Sequence, residues 1–273
     1  MSALNAAFAT MIRCLLLALF SLAVSPVLAS GPLTLRDGEQ LVYRVSWGLF
    51  PHAGSIRVLA LHEELAGLPQ TRVITETATR GVIRRLYPFT GRVDSIFDYR
   101  TGRMLAAYAM TSAGRKQTQA SIVFNYAEGI GNYVDALRPE RSTEVEILTE
   151  FPMDLITSLI NARTWDIKLG EKRNISVLFD DEFYDLTVTA ERIEEISTAQ
   201  GRQRALLLVP RMEGQPRGMF KRGGSVRVWL SLEEPRLPLR LEVSLAVGPA
   251  TAVLTEYQPP RTEVLAQHAN PGP

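Results

Sequence analysis

The stretch that decides the fold is residues 237–247, which have the sequence LPLRLEVSLAV. Leucine or valine occupies every second position, and less apolar residues such as Arg240 and Glu242 stand between them. A period of two is typical of a β-strand that buries one face more deeply than the other. A strand of this length would extend about 36 Å. The stretch therefore predicts a large, curved sheet.

The residues around this stretch predict more strands. Val226, Val228 and Leu230 alternate with their neighbours, and residues 233–236 (EEPR) supply a turn, so a hairpin is predicted here. The same alternation predicts strands at residues 41–47, 56–62, 72–79, 92–98, 105–111, 118–126, 175–179, 184–191, 205–209 and 250–257. The chain is therefore predicted to be mainly β.

One segment has helical spacing instead. Four large aliphatic residues share one arc at 100° per residue: Leu155, Ile156, Leu159 and Ile160. Three polar residues are predicted to face outward: Thr157, Ser158 and Asn161. A helix of about ten residues is too short to be stable alone, so we expect its apolar arc to pack on the concave face of the sheet. A second helical turn is predicted at residues 80–86.

Composition and charge are those of an ordinary globular protein. The chain has 273 residues, of which 46% are apolar and 22% are charged, so it should fold as one domain. Thirty Lys and Arg against 29 Asp and Glu leave almost no net charge. Long-range attraction of the whole molecule to nucleic acid or to anionic lipid is therefore not expected, although local patches remain possible, and no nucleic-acid partner is predicted.

The N-terminus predicts export. Residues 14–24 are almost wholly apolar, and residues 27–29 (VLA) fit a signal-peptidase site, so residues 1–29 are predicted to be a signal peptide cleaved after Ala29. The apolar run is too short to span a bilayer, so no stable membrane anchor is expected. The single cysteine, Cys14, would be removed with it. Met11 is an alternative start. We predict a periplasmic domain at 30–258 and a flexible tail at 259–273.

No catalytic, cofactor or metal site is predicted. The three histidines, His52, His62 and His268, lack zinc-site spacing, and no Gly-x-Ser-x-Gly motif occurs. The acidic residues Asp180, Asp181, Glu182 and Asp185 favour a turn between two strands over a calcium loop. Residues 218–225 (GMFKRGGS) lack the phosphate-loop order and favour an exposed hairpin loop.

An arginine patch surrounds residues 87–89 (YPF). Its members are Arg80, Arg84, Arg85 and Arg92. Such a patch is either a solvated rim or a contact for an anionic lipid surface, and the sequence leaves both open.

The order of segments resembles a bacterial exported family called domain of unknown function 3108. The motifs that carry the resemblance are Gly38-Glu39 with Tyr43, Trp47 and Ala53-Gly54, residues 91–95 (GRVDS) with Asp98, residues 151–163, residues 228–230 (VWL) and residues 235–238 (PRLP). The resemblance covers about residues 35–257. It implies a strongly curved antiparallel sheet, a half-barrel or open barrel, wrapped around one short central helix, similar to periplasmic lipoprotein carriers. It implies no catalytic residues.

Alternating apolar strands, aromatic residues and one helix favour a non-enzymatic binding or carrier module for an apolar or amphipathic small molecule. The candidate ligand-lining residues are Tyr43, Trp47, Leu155, Leu159 and Trp229. The alternative is a structural or assembly factor that contacts an envelope protein, and a third hypothesis is a hydrolase whose site contains His52 or His62. The sequence does not indicate an oligomeric state. A filled space between helix and sheet would favour the alternative.

Overall fold

The computed structural model describes residues 32–198, 201–212, 214–215, 220, 224–245 and 248–261. The predicted signal peptide with its cleavage site, and the predicted tail beyond Arg261, lie outside these ranges. Within them, no helix has both the length and the apolar character needed to cross a membrane.

The described ranges contain fourteen strands and two short α-helices. The strands are β1 Gln40–Trp47, β2 Phe50–Leu65, β3 Leu68–Thr79, β4 Phe89–Asp98, β5 Met104–Ala113, β6 Lys116–Asn125, β7 Ile130–Asp135, β8 Thr143–Glu146, β9 Lys172–Phe179, β10 Glu182–Thr198, β11 Gly201–Met212, β12 Ser225–Ser231, β13 Pro238–Leu245 and β14 Gly248–Gln258. The helices are α1 Gly81–Leu86 and α2 Leu155–Asn161, and 3₁₀ turns occur at Pro139–Arg141 and Ala162–Thr164.

All fourteen strands form one antiparallel sheet. Its order is β8-β7-β6-β5-β4-β3-β2-β1-β14-β13-β12-β11-β10-β9, so two meanders are joined where β1 pairs with β14. The strands β8 and β9 lie at its two ends and do not close it. An open sheet of this many strands curls, and the prediction of a strongly curved antiparallel sheet around a short central helix is confirmed.

The strand that decided the prediction is shorter than expected. β13 ends at Leu245 and β14 begins at Gly248, whereas the alternation runs on to residue 247. The length of the sheet comes instead from β2 and β10, which have 16 and 17 residues.

The helix α2 lies inside the curved sheet. Its seven residues and the following 3₁₀ turn account for the predicted ten. The prediction that Thr157, Ser158 and Asn161 face outward is wrong, because all three are buried. Contacts with the N-terminal segment and the helix cap bury these polar residues, whereas Leu155, Ile156 and Leu159 are only partly buried. Thr157 donates its hydroxyl to Asp154, and Asn161 accepts from the backbone N–H of Thr34 at 2.9 Å, as buried polar groups require.

Candidate functional site

The helix α2 separates two spaces inside the sheet, and the one toward β9–β12 is filled. The helical side chains there are Leu155, Ser158 and Leu159, followed by Ala162 and Trp165. The facing wall is made of Ile175, Leu186, Val188, Leu208, Pro210 and Val228. The space left between them is about 10 Å³, which does not hold a ligand.

The space on the other side of α2 is open. It has a volume of about 260 Å³ and lies between the N-terminal turn of the helix, the inner face of β4–β7 and the end of β9. Its lining residues are Val93, Ala107, Ala109, Ala120, Ser121, Ile122, Tyr133, Asp154, Leu155, Ile156, Leu178, Phe179 and Asp180. We call this space the inner cavity. A cavity of 150 Å³ already binds benzene, so the inner cavity has room for a larger apolar group.

Small side chains create the inner cavity. Ala109 pairs with Val93 on one side and with Ala120 on the other, so one row across the sheet contributes only a valine and two methyl groups. The next inward row contains Ala107 opposite Ser95. This second row continues to Ile122 and Tyr133, so the small side chains that leave the space below the helix open are those of β5 and its nearest neighbours.

The mouth of the inner cavity lies at the turn between β9 and β10. Asp180 occupies this two-residue turn with φ of 54°, a left-handed conformation that Asp and Asn tolerate. Desolvation by the surrounding protein, and then the charge of Asp181, raise the pKa of Asp180. Burial, followed by the charge of Asp180, raises the pKa of the Tyr133 phenol. The mouth therefore disfavours further negative charge.

The N-terminal end of α2 is tied to the wall of the inner cavity. The carboxylate of Asp154 caps the helix by accepting from Thr157 N–H at 3.0 Å, and it also accepts from the Ser95 hydroxyl at 2.9 Å. Both oxygens of Asp154 are thus occupied, and this carboxylate serves a structural purpose.

The C-terminal end of α2 is tied by a buried ion pair. Arg163 follows the helix and contacts the carboxylate of Glu39, whose side chain is 1% exposed. Arg163 also donates to Thr34 O at 2.6 Å, and the Tyr257 hydroxyl donates to Glu39 at 3.1 Å. Burial and then the Glu39 charge raise the pKa of Tyr257 to about 12. These contacts fix the helix to β14 and to the N-terminal segment that leads into β1.

The structure does not bring the five predicted lining residues together. Leu155 lines the inner cavity, whereas Leu159 faces the filled side of the helix. Tyr43 is fully buried and donates its hydroxyl to Pro238 O at 3.0 Å. Trp47 is half-buried at the end of β1, beside Gly248.

The side chains of Trp229 and Val228 point to opposite faces of the sheet. Trp229 is on the face that is turned away from α2. Its indole N–H donates to Glu194, and the guanidinium carbon of Arg240 lies 4.7 Å from its ring centroid. Trp229 is therefore buried beneath charged side chains of the outer face and does not line the inner cavity.

Sequence reasoning missed the alanines of the inner cavity. The predicted strand at residues 105–111 contains Ala107 and Ala109 at adjacent inward positions. Alternation identifies the inward face of a strand, but alanine there is compatible with tight packing as well as with a void.

The other predicted constellations do not form a site. His52 and His62 are exposed, and neither lines the inner cavity. His62 stacks on Tyr99 with ring centroids 4.1 Å apart. Asp180 and Asp181 form the predicted turn. Among the described residues, no three His, Cys, Asp or Glu side chains cluster as a metal site would require. Most of residues 218–225 lie outside the described ranges.

The predicted arginine patch is divided. Arg92 lies in an outer-face groove of about 530 Å³ and pairs with Asp94 at 2.7 Å and with Glu76 at 3.2 Å. Arg80 is exposed and lines the same groove, whereas Arg84 and Arg85 are exposed at one end of the sheet and do not line it.

Comparison with known proteins gives a family and similar solved structures. A family model described as protein of unknown function (DUF3108) matches residues 42–255. No curated protein matches the chain. The chain is similar to the crystal structure of a β-barrel-like protein of domain of unknown function DUF1849 from Brucella abortus, with a TM-score of 0.49 and 8% sequence identity, over 82% of this chain and 99% of that chain.

Proposed function

The chain belongs to the DUF3108 family, as its motifs predicted, and because that family is described as having unknown function, we propose a role from the geometry of the site. The protein is a non-enzymatic binding or carrier module, and the inner cavity holds an apolar group of a small apolar or amphipathic molecule. The observation that carries the proposal is the open space of about 260 Å³ beside a helix that is tightly packed on its other side.

The lining supports an apolar ligand. Ala109, Ile122 and Ile156 present hydrocarbon to the cavity, and the nearby carboxylate of Asp154 is already satisfied by Thr157 and Ser95. Ligand sites are typically apolar with a few polar groups at one side. Here the polar groups stand at the mouth, at Asp180, which suits an amphipathic molecule whose head remains in water.

The test is to fill the cavity and measure ligand retention. Native mass spectrometry of the full chain recovered from its own cells should reveal a retained small molecule, and an apolar fluorescent dye should compete with it. Ala109→Leu places three more carbon atoms in the cavity and should abolish both the retention of the small molecule and the binding of the dye. Ala127→Leu adds the same atoms at an exposed turn and is the matched control. Equal binding by the two variants would exclude the inner cavity as the site.

The alternative, an assembly factor of the cell envelope, is supported by the end strand β9. Apart from the bridge between Asp154 and Leu178, β9 pairs along one side only among the described residues. Such an edge accepts an extended segment of another protein. Filling the cavity leaves this edge unchanged, so a partner retained by Ala109→Leu would favour the alternative.

Periplasmic localisation is part of the proposal and rests on residues 1–29. The N-terminus of the exported protein should be Ser30, and N-terminal sequencing would test this. Finding Met1 or Met11 on the exported protein would contradict cleavage after Ala29.

A further inference from the structure

One end of the sheet differs from the rest of the surface. Three connections form it. They are residues 47–53 at the β1–β2 turn, residues 80–88 between β3 and β4, and residues 113–117 at the β5–β6 turn. Backbone hydrogen bonds join these connections: Arg80 N donates to Ala53 O at 2.8 Å, and Gly114 N donates to Pro88 O at 3.0 Å. We call this surface the basic end.

Large apolar side chains project from the basic end into solvent. Their exposed fractions are 96% for Leu49, 71% for Leu86, 57% for Val82, 56% for Tyr87 and 41% for Phe50. The helix α1 buries only Ile83 and exposes its other aliphatic residues. A surface helix that packs on a protein core has the opposite arrangement, so this apolar surface requires a partner.

The same surface is strongly cationic. Its five basic residues are exposed: Arg80, Arg84, Arg85, Arg115 and Lys116. The three segments contain no Asp or Glu. Within the described part of the chain, none of the five cations forms an ion pair, and Arg80 donates to the neutral hydroxyl of Ser55 at 3.1 Å.

We propose that the basic end docks on the surface of an anionic phospholipid bilayer. Leu49 and Leu86 would enter the boundary between head groups and acyl chains, and the cations around them would contact lipid phosphates. Interfacial segments combine these two features, apolar residues for insertion and Lys or Arg for the negative surface potential. The inference goes beyond ligand binding in the inner cavity and does not depend on it.

The opposite end of β2 and β3 supports the choice of partner. Leu65 and Leu68 are also exposed there, at 63% and 64%, but Glu63 and Glu64 precede them. Glu63 pairs there with Arg72 at 2.8 Å, and residues 63–70 contain no Lys or Arg, so this hairpin lacks the cations that would attract an anionic membrane. Exposed leucines therefore occur at both ends, and only the charge around them distinguishes the two.

A local probe tests the docking. In the full chain with Cys14→Ser, an environment-sensitive fluorophore is attached after Leu49→Cys, and after Leu68→Cys as the matched control. Vesicles of mixed phosphatidylglycerol and phosphatidylcholine should shift the emission of the probe at position 49 to the blue and leave that at position 68 unchanged. Pure phosphatidylcholine should cause much less change. Binding through another segment would not produce this difference, because the readout is local.

Charge variants measure how much electrostatic attraction contributes to vesicle binding. The double variant Arg84→Gln with Arg85→Gln should weaken vesicle binding about 30-fold at low salt, since each cation near the membrane contributes about fivefold. Arg202→Gln with Arg204→Gln removes equal charge from exposed positions at the other end of the strands and should change binding little. Added salt should weaken binding by the parent protein.

Three results would overturn the proposal. They are no spectral shift at position 49, an equal shift at position 68, and equal binding to zwitterionic vesicles. A shift at position 49 that grows with protein concentration in the absence of vesicles would show that a second copy covers the basic end instead.

Discussion

The two halves of the sheet meet the same helix with side chains of different size. The β9–β12 wall presents mainly leucine, isoleucine and valine to α2 and leaves about 10 Å³. The β4–β7 wall has three alanines among its larger residues and leaves about 260 Å³. Both walls belong to one continuous antiparallel sheet. The difference teaches that one side of this short helix is packed tightly, whereas the other side leaves the space in which we propose that a ligand binds.

This arrangement requires a helix that does not move to fill the void. Close packing favours collapse of an empty space, and Leu155 alone borders both sides. The Asp154–Ser95 hydrogen bond at one end and the Glu39–Arg163 ion pair at the other hold α2 in place. The tight wall and these two contacts together maintain the open one.

The largest expected effect comes from releasing the helix. Arg163→Met leaves the Glu39 carboxylate buried without its cation, and this should lower the free energy of unfolding by about 3–5 kcal/mol. Arg211→Met removes the partner of Glu191 at an exposed pair and should cost less than about 1 kcal/mol. Chemical denaturation measures both. Equal costs would mean that the helix is not fixed by Arg163.

Cavity creation in the filled wall should have the next largest effect. Leu208 is 1% exposed and faces α2, so Leu208→Ala should cost about 2–5 kcal/mol. Leu159→Ala removes packing from the same space and should also destabilise the protein. Its cost should be smaller than that of Leu208→Ala, because Leu159 is only half-buried. Leu68→Ala at an exposed turn is the control. A small loss of stability in Leu208→Ala would show that this wall is less tightly packed than the structure indicates.

Adding atoms to each wall should distinguish the filled wall from the open one most directly. Ala190 is fully buried on the inner face of β10, and Ala190→Leu should cost about 1–3 kcal/mol by overpacking. Ala109→Leu adds the same atoms beside the inner cavity and should change stability by less than about 1 kcal/mol. Thermal melts of the two variants provide the comparison, and equal destabilisation would contradict an open cavity.

The smallest effect concerns the mouth of the cavity. The pKa of Asp180 is raised in the folded protein, so the folded state binds more protons between the unfolded and folded pKa values and loses stability as pH rises through that window. Asp180→Asn should therefore stabilise at neutral pH, by about 0.5 kcal/mol or less for an exposed site. The gain should shrink as pH falls below the unfolded pKa. A pH-independent gain would reflect the left-handed backbone alone.

Some of the fold was readable from local pattern. The strands with clear alternation, such as β1 and β12, were predicted because a period of two depends only on which side of one strand is buried. The strands β7 and β8 were missed because IGNYVD and TEVE contain Gly131, Asn132 and acidic residues, which have low strand propensity. Pairing with β6 supplies the order that their own sequences lack.

The sequence by itself determined the fold class, the short helix and the family, because periodicity and motif order are properties of neighbouring residues. Tertiary structure alone decided where the open space lies. The pairing of Glu39 with Arg163 joins positions 124 residues apart, and the role of Ala109 depends on its distance from a helix in another part of the chain. A cavity is the difference between the space that the backbone encloses and the volume that the side chains fill. The side-chain volumes can be read from the sequence. The enclosed space cannot, because it depends on how distant parts of the chain are arranged.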